Sequence, residues 1–217
     1  MFPAQHFGFL ESLFGGGSNY HKVLATGAMA MSRDGKTSAK YTDTAKVEIR
    51  RVDNTIHTIS VDPDTVSIAV APDRLFIGVA NRPTTYEFKV YFFNGSSWVL
   101  EYSVSPQIDN PYPDSFGRAM AVDEQGVRFS CQDNSASTNR GRIWIYVRNT
   151  SNNTWSLEYT YTGPTADYCY GSSLAFNSAG NKLFTTNYSV SVGATVNALH
   201  VLTRTGAWNV PSKLCDL

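Results

Sequence analysis

SFGRAMAVDEQGVRFSCQDNSASTNRGRIWIYVRNTSNNTWSLEY, residues Ser115 to Tyr159, is the stretch from which the rest of the chain is read. It opens on Phe116-Gly117 and runs through the alternating segment Ala119-Met120-Ala121-Val122 to a turn at Glu124-Gln125-Gly126. An apolar strand follows from Val127 to Cys131, then a polar loop, then the strand Arg142 to Arg148. The closing run Trp155-Ser156-Leu157-Glu158-Tyr159 returns as Trp98-Val99-Leu100-Glu101-Tyr102, with Trp, Leu, Glu and Tyr at the same offsets. Such agreement marks an internal repeat, and a repeat sets the frame in which every other motif is judged.

The copies align on one short strand: Ala28-Met29-Ala30-Met31, Ser67-Ile68-Ala69-Val70, Ala119-Met120-Ala121-Val122 and Ser173-Leu174-Ala175-Phe176. Small and large residues alternate in each, the period of a β-strand. A repeat of roughly 40 to 50 residues built from several short strands is the signature of propeller blades. The expected fold is therefore all-β: a four-unit β-propeller-like repeat domain spanning 20–217, preceded by an N-terminal extended arm. The units are 20–62, 63–113, 114–167 and 168–217. Small residues on one face of each first strand are expected to let the sheets converge, with the large ones filling the space between blades. Trp98, Trp155 and Trp208 recur at one position of units two to four and are read as structural, as are Phe116, Gly117 and Gly171. Unit one has Ile56-His57-Thr58-Ile59 where the others carry Trp, and its first hairpin turns at Ser32-Arg33-Asp34-Gly35.

Residues 1–19 stand outside the repeat. Phe2, Phe7, Phe9, Leu10, Leu13 and Phe14 make an apolar arm, and Gly15-Gly16-Gly17-Ser18 a flexible joint. Six large apolar side chains in so short a segment form a patch that soluble proteins rarely leave bare. The arm is thus the expected contact with other protein subunits of an assembly.

Composition narrows the chemistry. The 18 basic and 18 acidic residues cancel, so no global field draws the chain to nucleic acid. Twelve Tyr and twelve Phe, with abundant Val, Thr and Gly, favour strands. Cys131, Cys169 and Cys215 are odd in number and widely spaced, which argues against a disulfide framework. No apolar run has membrane-span length, and the N-terminus lacks the basic-then-apolar order of a signal peptide. Synthesis in the cytoplasm without export is the expectation, and the sequons at Asn94, Asn149, Asn152 and Asn187 are read as turns.

Phe116-Gly117, the alanine-bearing strand, Phe76-Ile77-Gly78-Val79-Ala80 and Lys89-Val90-Tyr91-Phe92-Phe93 with Trp98 together resemble FG-GAP repeats. Those are the blades of integrin-alpha-type β-propellers. The resemblance is close in units two and three, partial in unit four and poor in unit one, where Thr26 stands at the glycine position as Thr65 does in unit two. It implies a ring of blades, usually seven, whereas four units are present here. Either the four close by themselves or another chain completes them. The resemblance also implies calcium loops after the second strand. Gln132-Asp133-Asn134-Ser135, Tyr41-Thr42-Asp43-Thr44 and Thr186-Asn187-Tyr188 are the nearest matches, and none offers enough alternating oxygen ligands for calcium. No metal and no cofactor are expected.

Nothing in the sequence assembles a catalytic centre. His6, His21, His57 and His200 are scattered, and His200 reads as a packed strand histidine. Glu101 and Glu158 occupy equivalent repeat positions, which points to a strand-surface role rather than a carboxylate pair across one bond. Arg118, Arg128, Arg140, Arg142 and Arg148 concentrate in unit three among interspersed acids, as a salt-laced surface does. Tyr159, Tyr161, Tyr168 and Tyr170 crowd the junction of units three and four, where they serve either inter-blade packing or a sugar-stacking platform. The expected function is a non-enzymatic structural or protein-interaction module of a multi-subunit assembly, such as a bacteriophage virion or tail component. The alternative is a carbohydrate-binding, lectin-like propeller that recognises a glycan receptor.

Overall fold

The computed structural model describes residues 29–42, 45–81, 85–105, 117, 119–133, 141–164, 168–189 and 198–216. The arm residues Phe2, Phe7, Phe9, Leu10, Leu13 and Phe14 lie outside this set, and so does Phe116. Among the described residues the secondary structure is entirely strand and turn, arranged as four antiparallel sheets. The first sheet runs β1 (Met29–Met31), β2 (Thr37–Thr42), β3 (Lys46–Arg51) and β4 (Ile56–Ser60) in spatial order. The second is β5 (Thr65–Ala71), β6 (Arg74–Asn81), β7 (Thr85–Phe93) and β8 (Trp98–Val104), and the third β9 (Met120–Val122), β10 (Arg128–Asp133), β11 (Arg142–Asn149) and β12 (Thr154–Thr162). The fourth holds β13 (Tyr168–Phe176), β14 (Lys182–Ser189) and β15 (Ala198–Thr205), with β16 (Ala207–Trp208) and β17 (Ser212–Asp216) both pairing with β15. Each sheet is an up-and-down meander, the architecture of a propeller blade, so the fold is all-β and β-propeller-like.

Short polar turns set the register of the inner hairpins. Ser32, Asp123 and Asn177 each open a turn that closes three residues later on Gly35, Gly126 or Gly180, all with positive φ. In each the glycine amide donates to the carbonyl of the opening residue, at 2.9, 3.2 and 3.1 Å. The opening side chain then caps the strand that follows. Asp123 Oδ1 accepts from the amides of Val127 and Arg128, and Asn177 Oδ1 from those of Asn181 and Lys182. Ser32 Oγ accepts from the amide of Thr37. Serine, aspartate and asparagine suit this place because their short side chains reach their own downstream backbone.

The chain divides into two compact units, Met1–Val104 and Ser105–Leu217. In the first, Ala39, Tyr41, Val47 and Ile49 of one sheet pack with Val70, Leu75, Ile77, Val79 and Trp98 of the next. In the second, Ala121, Ile143 and Ile145 pack with Leu174, Phe176, Leu183, Leu202 and Trp208. Fully burying one such aliphatic side chain contributes about 1.5–3 kcal/mol before ordering costs.

The first strands do not all bury their large residues. Val70, Leu174 and Phe176 are buried, but Met29 and Met31 are 63% and 45% exposed while Ala30 between them packs against the core. In β9 Ala121 is the buried residue, and Met120 and Val122 are only half-buried. Alternation fixes which residues share a face, not which face meets a neighbouring sheet.

Candidate functional site

The repeated Trp-x-Leu-Glu-Tyr run encodes a specific piece of geometry. Between β7 and β8 the pairing passes from Tyr91–Leu100 to Val90–Tyr102, which leaves Glu101 as an extra, unpaired residue. Between β11 and β12 it passes from Tyr146–Leu157 to Ile145–Tyr159, which leaves Glu158 in the same role. Each glutamate is thus the inserted residue of a β-bulge, a device that redirects a side chain out of the strict alternation.

Both carboxylates are turned onto arginines at the start of the second strand of their sheet. Arg74 Nε and Nη2 donate to Glu101 at 2.9 and 3.0 Å, and Arg74 also holds Asp73 at 2.8 Å. Arg128 Nε donates to Glu158 Oε2 at 2.9 Å. Glu158 takes two further donors from the neighbouring sheet: Arg204 Nε at 2.7 Å and the Trp208 indole at 2.9 Å. Burial pushes the Glu158 carboxyl up, but the bonds from Arg128 and Trp208 and the charges of Arg128 and Arg204 outweigh it and hold the group below its ordinary range. The expectation that these glutamates mark a strand surface is corrected here. The Glu101 and Glu158 side chains are only 10% and 15% exposed and are consumed by ion pairs.

The tryptophans of the same run are interior. Trp98, Trp155 and Trp208 are 8%, 8% and 6% exposed. Trp155 meets Phe129 edge-on at 5.3 Å, and Trp98 and Trp208 lie against Phe93 and Phe176. The leucines of the run point outward instead: Leu100 and Leu157 are 54% and 51% exposed. In unit four the inserted residue of the β15–β17 bulge is Leu214, also exposed, so no carboxylate stands there.

Gly117 and Gly171 share one requirement. Both have positive φ, and the Gly117 amide donates to the Gln132 carbonyl at 2.7 Å. A Cβ on Gly171 would come within 2.7 Å of Gln132 Cβ. Glycine is needed at 171 both for the backbone angle and for the close approach.

The remaining candidates separate plainly. Tyr159 and Tyr161 pack against the core of the second unit, and the side chains of Tyr168 and Tyr170 lie outside the described residues. Trp144 is buried, with the Arg142 guanidinium over its ring. His200 is buried, and burial, with the Lys213 charge adding to it, lowers its basicity. His57 lies edge-on against Phe93. Arg148 holds Asn153, while Arg118 and Arg140 are outside the described residues, as are His6 and His21. Of the loops compared with calcium sites, Asp43-Thr44 and Asn134-Ser135 are outside as well. Among the described residues no three His, Cys, Asp or Glu side chains gather as metal ligands, and no helix is long and apolar enough to cross a membrane. Arg74 and Arg204 went unremarked in the sequence, although a charged residue opening the second strand recurs as Arg74, Arg128 and Lys182.

No family model matches the chain, and neither does any curated protein. Solved structures do. The chain is similar to Kuenenia stuttgartiensis hydrazine synthase, with 8% identity over 86% of this chain and 53% of that one and a TM-score of 0.60. It is similar to a protein from Lactobacillus plantarum, with 11% identity over 88% and 57% and a TM-score of 0.56. It is also similar to the tricorn protease, with 10% identity over 86% and 22% and a TM-score of 0.53. The likeness is one of fold. The chain spans about half the length of the first two structures and less of the third. Two of the three names are those of enzymes, and at these identities a name carries no activity across.

Proposed function

We propose that this protein is a non-enzymatic, FG-GAP-like propeller module that works by protein–protein contact within a multi-subunit assembly, of the kind that builds a bacteriophage virion or tail. The observation that carries the reading is the division of labour within the recurring pentapeptide. Its charged and aromatic members, Glu101, Glu158, Trp98 and Trp155, are engaged inside the sheets, while Leu100 and Leu157 are presented outward. The repeat therefore maintains a scaffold and offers apolar contacts on its outer strands. The apolar arm of residues 1–14 supplies a second attachment device through its joint at Gly15-Gly16-Gly17. A glycan-stacking role gains nothing from Trp144, Tyr159 and Tyr161, which are packed.

Deletion of residues 1–17 tests the reading. The shortened chain is expected to keep its melting temperature and lose association with its partner subunits, measured by light scattering on co-purified complexes. Unfolding would assign the arm to the core, and undiminished association would remove the arm from the function.

A further inference from the structure

The sequence holds a single Asn-Gly pair, Asn94-Gly95, and a single Asp-Gly pair, Asp34-Gly35. Both stand in hairpin turns of the first compact unit. A glycine leaves its backbone nitrogen unshielded by a Cβ, and such a nitrogen can attack the side-chain carbonyl carbon of the residue before it. The two turns treat that nitrogen differently.

In the β1–β2 turn the Gly35 amide donates to the Ser32 carbonyl at 2.9 Å, so attack on Asp34 would first have to break the turn. In the β7–β8 turn the closing bond runs instead from the Asn94 amide to the Ser97 carbonyl, at 3.1 Å. Among the described residues the Gly95 amide finds no acceptor. Gly95 lies at φ +100°, with open space where a Cβ would stand. The carboxamide beside it is pinned. Asn94 Oδ1 accepts from the amides of Ser96 and Ser97 at 3.0 and 2.9 Å and from the Ser96 hydroxyl at 3.0 Å. Those donors polarise the carbonyl and would hold the negative charge that gathers on Oδ1 during attack, as donors do around any oxyanion.

We infer that Asn94 is a site of spontaneous deamidation in the folded protein, with water and hydroxide as the only reagents. Hydroxide removes the Gly95 amide proton, and the nitrogen bonds to Asn94 Cγ. The Cγ–Nδ2 bond then breaks, and ammonia leaves with a proton taken from water. The succinimide ring that remains is opened by a second water. Breaking its Cγ–N bond gives aspartate, and breaking the bond from the backbone carbonyl carbon to nitrogen gives isoaspartate.

The two products differ in what they do to the hairpin. Aspartate keeps an oxygen where Oδ1 stands, so the cap on Ser96 and Ser97 survives. Isoaspartate routes the main chain through Cβ and Cγ, which lengthens the turn by one atom and abolishes the cap. The turn joins Phe93 to Trp98, paired residues whose rings lie 5.5 Å apart, and Trp98 belongs to the core shared by the first two sheets. Isoaspartate is therefore expected to loosen the first unit, and aspartate is not.

Peptide mass mapping of the full chain, aged folded in buffer and unfolded in urea, tests the site. Asn94 should convert at least as fast folded as unfolded, ahead of every other asparagine, and faster as pH rises. Asp34 should isomerise only in urea. Slowing of Asn94 by about tenfold or more in the folded protein, the mark of a site that reacts only on opening, overturns the inference. So does an Asp34 equally reactive in both states, since the Gly35 bond would then protect nothing. Asn94→Asp carries the new charge on an unaltered backbone and should melt with fresh wild type. Aged wild type enriched in isoaspartate should melt lower, and an unchanged melting temperature overturns the structural half of the inference. Neither measurement involves a partner, so the outcome is independent of assembly.

Discussion

Asp123 opens the turn between β9 and β10 and is 4% exposed, with one carboxylate oxygen accepting two strand amides. Its surroundings are tight, since a Cβ placed on Gly180 of the neighbouring sheet would come within 2.7 Å of its other oxygen. Burial pushes the Asp123 carboxyl above its ordinary value of 3.8, and the amides of Arg128 and Val127 offset this only in part. An acid whose folded pKa is raised penalises the native state above that pKa and ceases to do so once protonated. The same turn position holds Asn177 in the next sheet, where a neutral amide oxygen does the capping. Asp123→Asn is therefore expected to stabilise the protein at neutral pH by about 1 kcal/mol, and the advantage should shrink as pH falls through the folded pKa of Asp123. Urea unfolding of both proteins at several pH values checks this, and a variant less stable than wild type at neutral pH would refute it. Trp155 makes the opposite case. Its ring lies buried against Phe129, and Trp155→Ala should cost about 3–5 kcal/mol in the same measurement. A melting temperature unmoved by that substitution would mean the indole is not structural.

At the scale of the element, the bulge explains why a glutamate recurs inside a hydrophobic pentapeptide. A regular β12 would place residue 158 in strict alternation with its neighbours. The inserted residue instead lets Glu158 gather Arg128, Arg204 and Trp208, and so ties the outer strand of one sheet to β15 and β16 of the next. Glu101 holds Arg74, and Arg74 keeps a second acid in Asp73. Glu158→Ala is thus expected to cost about 1–3 kcal/mol, discounted for its partial exposure. Because the Glu158 carboxyl is held below its usual 4.5, its contribution is present above the unfolded value and lost as pH falls through the folded one. Acid titration of stability should show the wild-type loss at low pH flattened in Glu158→Ala. An unchanged stability in Glu158→Ala would disprove the three-donor account. Much of this element was legible in sequence: the period, the strands and the interior tryptophans follow from composition and alternation. The role of the glutamates was not, because alternation assumes unbroken pairing and a one-residue insertion leaves no mark in the hydrophobic pattern. Nor was the exposure of Met29 and Met31, which have the same apolar character whether or not a sheet covers them.

For the molecule as a whole, two cysteines report on how the second compact unit holds together. Cys131 lies at 0% exposure in β10, paired on both sides by β9 and β11, whereas Cys215 is exposed on β17. A thiol reagent reaches a buried cysteine only when the surrounding structure opens, so its labelling rate measures that opening. Cys215 should be modified at once under native conditions. Cys131 should lag by on the order of a thousandfold or more if the unit opens with a stability of about 5 kcal/mol. The shared core of the third and fourth sheets gives the prediction a second arm. Leu183 is fully buried on β14, in the cluster that also holds Ile143 and Ile145 of β11, the strand beside Cys131. Leu183→Ala removes core contacts worth about 2–5 kcal/mol, and it should speed labelling of Cys131 by roughly thirtyfold or more although it lies on a different sheet. Peptide mass analysis of samples quenched over time distinguishes the two sites. Labelling of Cys131 as fast as Cys215, or a rate indifferent to Leu183→Ala, would show that each sheet opens independently and that the two do not share one cooperative core.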